Sequence, residues 1–230
     1  MKKIVVALLI SLTVAPNIFA VVIEYGRGNQ QLMGIAMKAD QELSKGDEPG
    51  ALRDVNEALR IDAKFFPAYF IRAKIYLGHG KWAQTVADCD AGLRLEPKFV
   101  DLAIMRAIAN RGLRRYAASL AELNHVIAIR PPRLSMLSWA FEQRAWLRAT
   151  CPDAAFRDGQ KAIEDAKRAC GIMKWGGANA FDALAAAYAE VGDFQSAIKY
   201  EQQAITIAGS GGAFGAHLAL FQQRKPIRES

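Results

Sequence analysis

Along most of this chain apolar residues recur with the period of a helix, in segments separated by short polar or glycine-containing breaks. The stretch Ala185–Ile207, ALAAAYAEVGDFQSAIKYEQQAI, shows the unit most plainly. It reads as two short helices joined at Gly192-Asp193. Small residues (Ala185, Ala197, Ala204) stand where the helices must touch, and Tyr188 and Phe194 fill the space around them. The same column, spaced twelve and then seven, returns at Ala39, Ala51 and Ala58, at Ala73, Thr85 and Gly92, and at Ala107, Ser119 and Val126. Gly46 and Gly80 mark the turns of the first two units. Pro97 and Pro131 close the second and third units 34 residues apart, and Ala63 stands 34 before Pro97. Proline cannot continue a helix, so it ends one unit and starts the next. A single hairpin cannot bury its apolar face alone, so copies must stack.

The fourth unit departs from this register. Trp139 to Thr150 is predicted as a helix, CPDAAFRDG as a longer loop, and Gln160 to Ile172 as a second helix. Ala145, Ala162 and Ala169 keep the small column with five residues inserted in the loop. After the fifth unit, Gly209 to Gly212 breaks the helix, Ala213 to Gln223 reads as a short capping helix, and Gln222 to Ser230 supplies a polar end.

This 34-residue helix-turn-helix unit resembles the tetratricopeptide repeat (TPR), over Leu32 to Gly209. The text RAWLRATCPDAAFRDGQKAIEDAKRAC, followed by FDALAAAYAEVGDFQSAIKYEQQAI, is similar to a variant recurring at the end of bacterial TPR proteins, over Trp139 to Ile207. The expected architecture is an all-α solenoid of about five helical hairpins spanning 32–208. A Gly-rich break, capping helix and polar tail over 209–230 follow it, and a lead-in segment over 21–31 precedes it.

Residues 1–20 read as a secretory signal: Lys2-Lys3 is the charged start, Ile4 to Val14 the apolar stretch, and Ile18-Phe19-Ala20 the cleavage site. An uncleaved anchor is the alternative, because apolar residues continue through Val21-Val22-Ile23, although Pro16 and Asn17 interrupt the stretch. Either reading places the repeats in an export compartment, periplasmic or secreted. Export permits disulfides, and the chain has three cysteines, Cys89, Cys151 and Cys170. The helix leading to Cys170 holds it about 20 Å from the loop at Arg157, whereas a disulfide needs Cα atoms within about 7 Å. All three are therefore expected as free, mostly buried thiols.

A composition of 52% hydrophobic and 23% charged residues is that of an ordered chain. A formal charge of +7 points to an acidic or anionic partner. The basic excess concentrates in Val100–Thr150, where Arg106, Arg111, Arg114, Arg115, Arg130, Arg133, Arg144 and Arg148 face only Asp101, Glu122 and Glu142. Two readings stand: an anion-facing patch and a solvated surface. Nucleic acid is not the expected target of an exported chain. No metalloprotease, phosphate-loop, nucleophile-elbow or Cys-pair motif occurs, and His79, His125 and His217 are too scattered in sequence to suggest a metal site. No cofactor is expected, the oligomeric state is left open, and the chain reads as a non-catalytic exported scaffold that binds a protein or peptide partner; a structural subunit of a membrane-anchored envelope complex and an enzyme with an unrecognised site are the alternatives. Trp82 and Trp175, each beside a helix start, are expected to pack.

The resemblance implies that the first helix of each unit lines a concave groove. These faces would present Met33, Met37 and Asp40, then Phe70, Ile71 and Lys74, then Ile104, Ile108 and Arg111, then Trp139 and Trp146. The lysine and asparagine clamp some TPR proteins use for acidic tails is absent, since Ala36, Asp40, Ile71 and Met105 occupy its positions. An apolar groove with an arginine rim suits an extended or helical peptide; the other reading is that these side chains pack between repeats. A second set recurs one residue before the first small alanine: Lys38, Arg72, Arg106 and Arg144. Asp54, Asp88 and Glu122 stand sixteen residues later, and Asp165 twenty-one later, which matches the insertion. Each pair is expected to bridge the helices of its own hairpin.

Overall fold

A computed structural model describes residues 29–131, 133–209 and 213–229. The expected signal segment lies outside these residues. The chain divides into two units, one ending at Leu113 and one beginning at Arg114. In the first, α1 (Gln30–Ser44) pairs with α2 (Glu48–Ile61), α3 (Phe66–Gly78) pairs with α4 (Trp82–Leu95), and α5 (Val100–Gly112) packs on α4. In the second, α6 (Tyr116–Ile129) packs on α7 (Leu134–Thr150), which pairs with α8 (Gly159–Ile172). There α9 (Ala178–Glu190) pairs with α10 (Phe194–Ala208), and α11 (Ala213–Gln222) lies against both. The described residues are thus helical hairpins of tetratricopeptide type followed by a final capping helix.

Local chemistry accounts for the helix ends. Asn29, Asp47, Asp158 and Asp193 cap α1, α2, α8 and α10 by accepting backbone N–H bonds in the first turn. Gly46, Gly80 and Gly192 take φ of +81°, +65° and +84° at the hairpin turns, where a left-handed residue is required. In the third repeat Arg114 stands where the first two place glycine, and it adopts φ 61°. Two boundaries differ from expectation by two residues or more. Helix α1 starts at Gln30, because Asn29 caps it, and α7 starts at Leu134 rather than Trp139, after the extended cap residue Arg133.

The small column is buried throughout, from Ala39 to Ala204. Its purpose is close approach: a Cβ added at Gly92 would sit 2.4 Å from Leu102 Cδ1. The first unit fills around it with an aromatic cluster in which the Phe99 ring meets Phe66 and Phe70 edge-on at 4.8 and 5.3 Å. Trp82 packs over Gly112, where an added Cβ would lie 2.5 Å from the indole. The second unit is alanine-rich, with Phe141, Phe181, Phe214 and Phe221 supplying the bulk. Trp175 is half exposed, its ring 5.8 Å from Phe181.

Charged pairs close the hairpins. Arg72 forks onto Asp88 with bonds of 2.8 and 2.6 Å, and Arg144 onto Asp165 with bonds of 2.8 and 2.7 Å. Lys38 Nζ lies 3.0 Å from Asp54 Oδ2. Arg106 and Glu122 fall one in each unit. The third guanidinium nitrogen makes a further bond that spacing within one hairpin does not predict. Arg72 Nη1 donates to Asn56 (2.6 Å) and Arg144 Nη1 to Asn124 (2.7 Å), while Arg106 Nη1 donates to Asp90 (2.6 Å). Asn56, Asp90 and Asn124 recur 34 residues apart on the second helix of the preceding repeat. The guanidinium therefore joins one hairpin to the next. In the fifth hairpin, where Leu184 and Tyr200 replace the charges, Tyr200 stacks on Phe181 (6.0 Å) and Tyr188 (5.4 Å) instead.

All three cysteines are free and buried. Burial pushes the Cys170 thiol up to about 12, with Glu142 acting in the same direction.

Two outcomes follow from this packing. Arg72→Ala removes both bonds to the buried Asp88 and is expected to cost roughly 3–5 kcal/mol in urea unfolding, while Lys38→Ala, which removes an exposed amine from the less deeply buried Asp54, lowers the midpoint by clearly less; equal effects would contradict the fork. Iodoacetamide at about pH 8.5, where a free thiol is half ionised, is expected to leave native Cys170 unmodified until guanidinium is added. Fast native alkylation, or a Cys151–Cys170 linked peptide in a non-reduced digest, would contradict the buried-thiol assignment.

Candidate functional site

The first helices of the hairpins carry the face expected to meet a partner, and the two units treat it differently. In the first unit Phe70, Ile71, Ile104 and Ile108 are buried, and so is Arg111 at 4% exposure. These side chains belong to the packed interior, which corrects their expected place on an open groove: apolar residues at helical spacing are satisfied here by burial. Met33, Met37, Asp40 and Lys74 stay partly or well exposed. Asp40 and Lys74 occupy the same place in successive repeats and act on each other. Burial raises the Asp40 carboxyl while Lys74 lowers it, and burial lowers the Lys74 ammonium while Asp40 raises it. An open depression of about 560 Å³ runs beside α1, lined by Met37, Lys38, Asp40 and Gln41 among others.

In the second unit Trp139 is buried and Trp146 is half-buried. Trp146 is engaged by the chain's own C-terminal region. Its Nε1 donates to Glu229 Oε1 at 2.5 Å, and its ring lies 5.4 Å from the imidazole of His217 on α11. The tail after α11 runs along α7. Glu229 N donates to Thr150 O (3.1 Å), Arg228 Nη1 to Ala149 O (3.3 Å), and Ile227 is buried. Arg228 Nη2 also lies 2.6 Å from Glu190 Oε2 at the end of α9. Glu190 accepts from Arg157 Nε (3.0 Å), which ties down the inserted loop; Arg157 Nη1 donates in turn to Cys151 O (2.8 Å). Trp146, expected to line the groove, is therefore held by residues 217–229 of its own chain.

The arginine-rich middle also divides. Arg144 and Arg148 both bind Asp165, Arg106 bonds Asp90, and Arg111 is buried. Arg114, Arg115, Arg130 and Arg133 remain exposed, the first two before α6 and the others after it. A helix of 14 residues separates these groups by about 20 Å, so they do not form one patch.

The structure gathers one group that sequence spacing did not suggest. Asp182 of α9, Glu201 of α10 and His217 of α11 are all buried. His217 Nδ1 lies 2.8 Å from Asp182 Oδ1 and 4.0 Å from Glu201 Oε1. Burial pushes the Glu201 carboxyl up to about 10, with Asp182 adding to it. The histidines are indeed apart in sequence; what brings a liganding set together is one histidine on the capping helix, outside the repeat register.

No protein-family model matches the sequence, and no curated protein is detectably similar to it. Solved structures share its fold. One is a chain of the APC/C hetero-tetramer Cut9–Hcn1 (TM-score 0.69, 16% identity, 90% of this chain); this chain spans 39% of its length. PilW, a type IV pilus biogenesis factor, matches at TM-score 0.69 and 19% identity over 86% of this chain and 88% of its own. YrrB, a TPR protein with an unusual peptide-binding site, matches at 0.53 and 17% identity over 87% and 97%.

Replacing Glu229 by alanine is expected to shift one indole N–H resonance, that of Trp146, and to speed its exchange with solvent. Four unchanged indole signals would show that the tail does not hold Trp146.

Proposed function

We propose that this chain is a non-catalytic interaction scaffold of the bacterial cell envelope, which holds a segment of another protein on the first-helix face of its N-terminal unit. The observation that carries the reading is an asymmetry. In the second unit the tail and capping helix occupy Trp146, whereas in the first Met33, Met37, Asp40 and Lys74 remain partly open at corresponding first-helix faces. Methionines are adaptable apolar contacts, and a lysine beside an aspartate gives that contact a polar register. An extended or helical segment with apolar anchors and an acidic residue near Lys74 fits this chemistry.

The likeness to PilW, to a Cut9–Hcn1 chain and to YrrB supports an interaction role, since those are a pilus biogenesis factor, a chain of a hetero-tetramer and a TPR protein with a peptide-binding site. The basic-apolar start supports export, with residues 1–20 removed as a signal, and the similarity of Trp139–Ile207 to a terminal repeat of bacterial TPR proteins supports a bacterial setting.

Capture from periplasmic and membrane fractions by the tagged chain is the test, comparing wild type with Met37→Glu, Lys74→Glu and Trp175→Ala. The first two are expected to lose a specific protein by about tenfold or more, with thermal melts unchanged, and Trp175→Ala to retain it. Equal capture by all four would contradict the assigned face. Capture only from cytosolic extract would contradict the envelope.

A further inference from the structure

The repeat register singles out Glu201. Three residues before the last small residue of each hairpin stand Val55, Cys89, Leu123, Ala166 and Glu201. All five are fully buried, at 0% exposure. A core column that elsewhere takes apolar side chains or a thiol takes a carboxylate in the last hairpin alone. Burying such a group is expensive unless something compensates it, yet no well-formed hydrogen bond reaches either oxygen of Glu201, and the polar group beside it is a second carboxylate, Asp182. The side chain is nevertheless directed at two further liganding groups. Glu201 Oε1 is 4.0 Å from His217 Nδ1, which is 2.8 Å from Asp182 Oδ1, and one donor atom of each lies within 4.8 Å of the others.

We infer that Asp182, Glu201 and His217 form a three-ligand site for a first-row divalent metal ion, with zinc as the fitting example, which fastens the capping helix to the fifth hairpin. Two carboxylates and a neutral imidazole match the charge of a dication. A tetrahedral zinc ion with bonds of about 2.0–2.1 Å sets its donors about 3.3 Å apart. The observed 2.8 and 4.0 Å fall on either side of that value, so small side-chain adjustments bring the donors in. Three protein ligands leave a fourth position for water. Calcium would require six or more oxygens, which this donor set lacks. The Trp146 ring, 5.4 Å from the imidazole, limits its freedom to turn. The metal-free rival is a carboxylic acid pair, in which Glu201 keeps a proton and donates it to Asp182.

The test uses the untagged full chain, stripped with EDTA, titrated calorimetrically with Zn²⁺ and, separately, with Ca²⁺. Wild type is expected to bind about one Zn²⁺ per chain and to melt several degrees higher with it, because the ion binds only the folded form, while Ca²⁺ does neither. Glu201→Gln and His217→Ala are expected to lose at least tenfold in Zn²⁺ affinity. Glu201→Leu, which restores the apolar column, keeps the fold measurable if the glutamine variant does not, and is expected to bind no ion there. No saturable Zn²⁺ binding by wild type, or undiminished binding by both Glu201→Leu and His217→Ala, would overturn the site. The first result would leave the acid pair as the account of Glu201, and the second would place the ion elsewhere.

Discussion

Arg72, Arg106 and Arg144 each reach from the first helix of one hairpin back to a polar side chain on the second helix of the hairpin before it: Asn56, Asp90 and Asn124. Arg72 and Arg144 also grip a buried aspartate on their own second helix. A guanidinium is planar, always charged and presents five donors in a fixed fork, so it serves two acceptors from two directions where an ammonium would serve them as a point. The fork thus sets two things at once, the closure of a hairpin and its register against the previous one. Small residues make that closure possible by letting backbones approach, and the aspartates are buried because the helices come together around them. The first repeat has Lys38 instead, with no hairpin before it among the described residues, and there an exposed ammonium reaches in to a buried Asp54.

These constraints hold certain columns nearly constant and leave a neighbouring one to vary. Directly after the first small residue stand Asp40, Lys74, Ile108, Trp146 and Ala186 in successive hairpins. No packing rule is shared by an acid, a base, an isoleucine, a tryptophan and an alanine. Ile108 and Ala186 are buried, Asp40 and Lys74 act on each other while half-buried, and Trp146 is held by Glu229 and His217. The variation tracks what covers each position. Where the C-terminal tail lies on the face, the column supplies an aromatic to receive it; on α1 and α3 it supplies charge beside methionine.

Much of the fold is legible in the sequence because its determinants are local and repeat. The column of small residues, the glycine turns and the 34-residue spacing each identify the hairpins. So does the fixed distance from Arg72 to Asp88, which survives as Arg144 to Asp165 once five residues are inserted. The start of α7 is less legible, since Pro131-Pro132 reads equally as the end of one unit and the beginning of the next. The site is legible only in part. Periodicity marks Phe70, Ile104 and Ile108 as apolar on first helices, but the same pattern serves a groove and a packed interior, and burial decides for the interior. The cover on Trp146 comes from residues beyond the last repeat, where no register applies. Glu201 did carry a signal, a carboxylate in a column of Val55, Cys89, Leu123 and Ala166. Its companion His217 did not, because the capping helix has no earlier copy with which to compare it.

Site-specific photo-cross-linking in living cells tests the interaction account most directly, with a photoreactive residue placed in turn at Met37, Lys74, Trp146 and Trp175. The account predicts a discrete adduct with another protein from positions 37 and 74, none from 175, and from 146 only a cross-link within the chain. Intermolecular adducts confined to 146, or spread equally over all four positions, would contradict it.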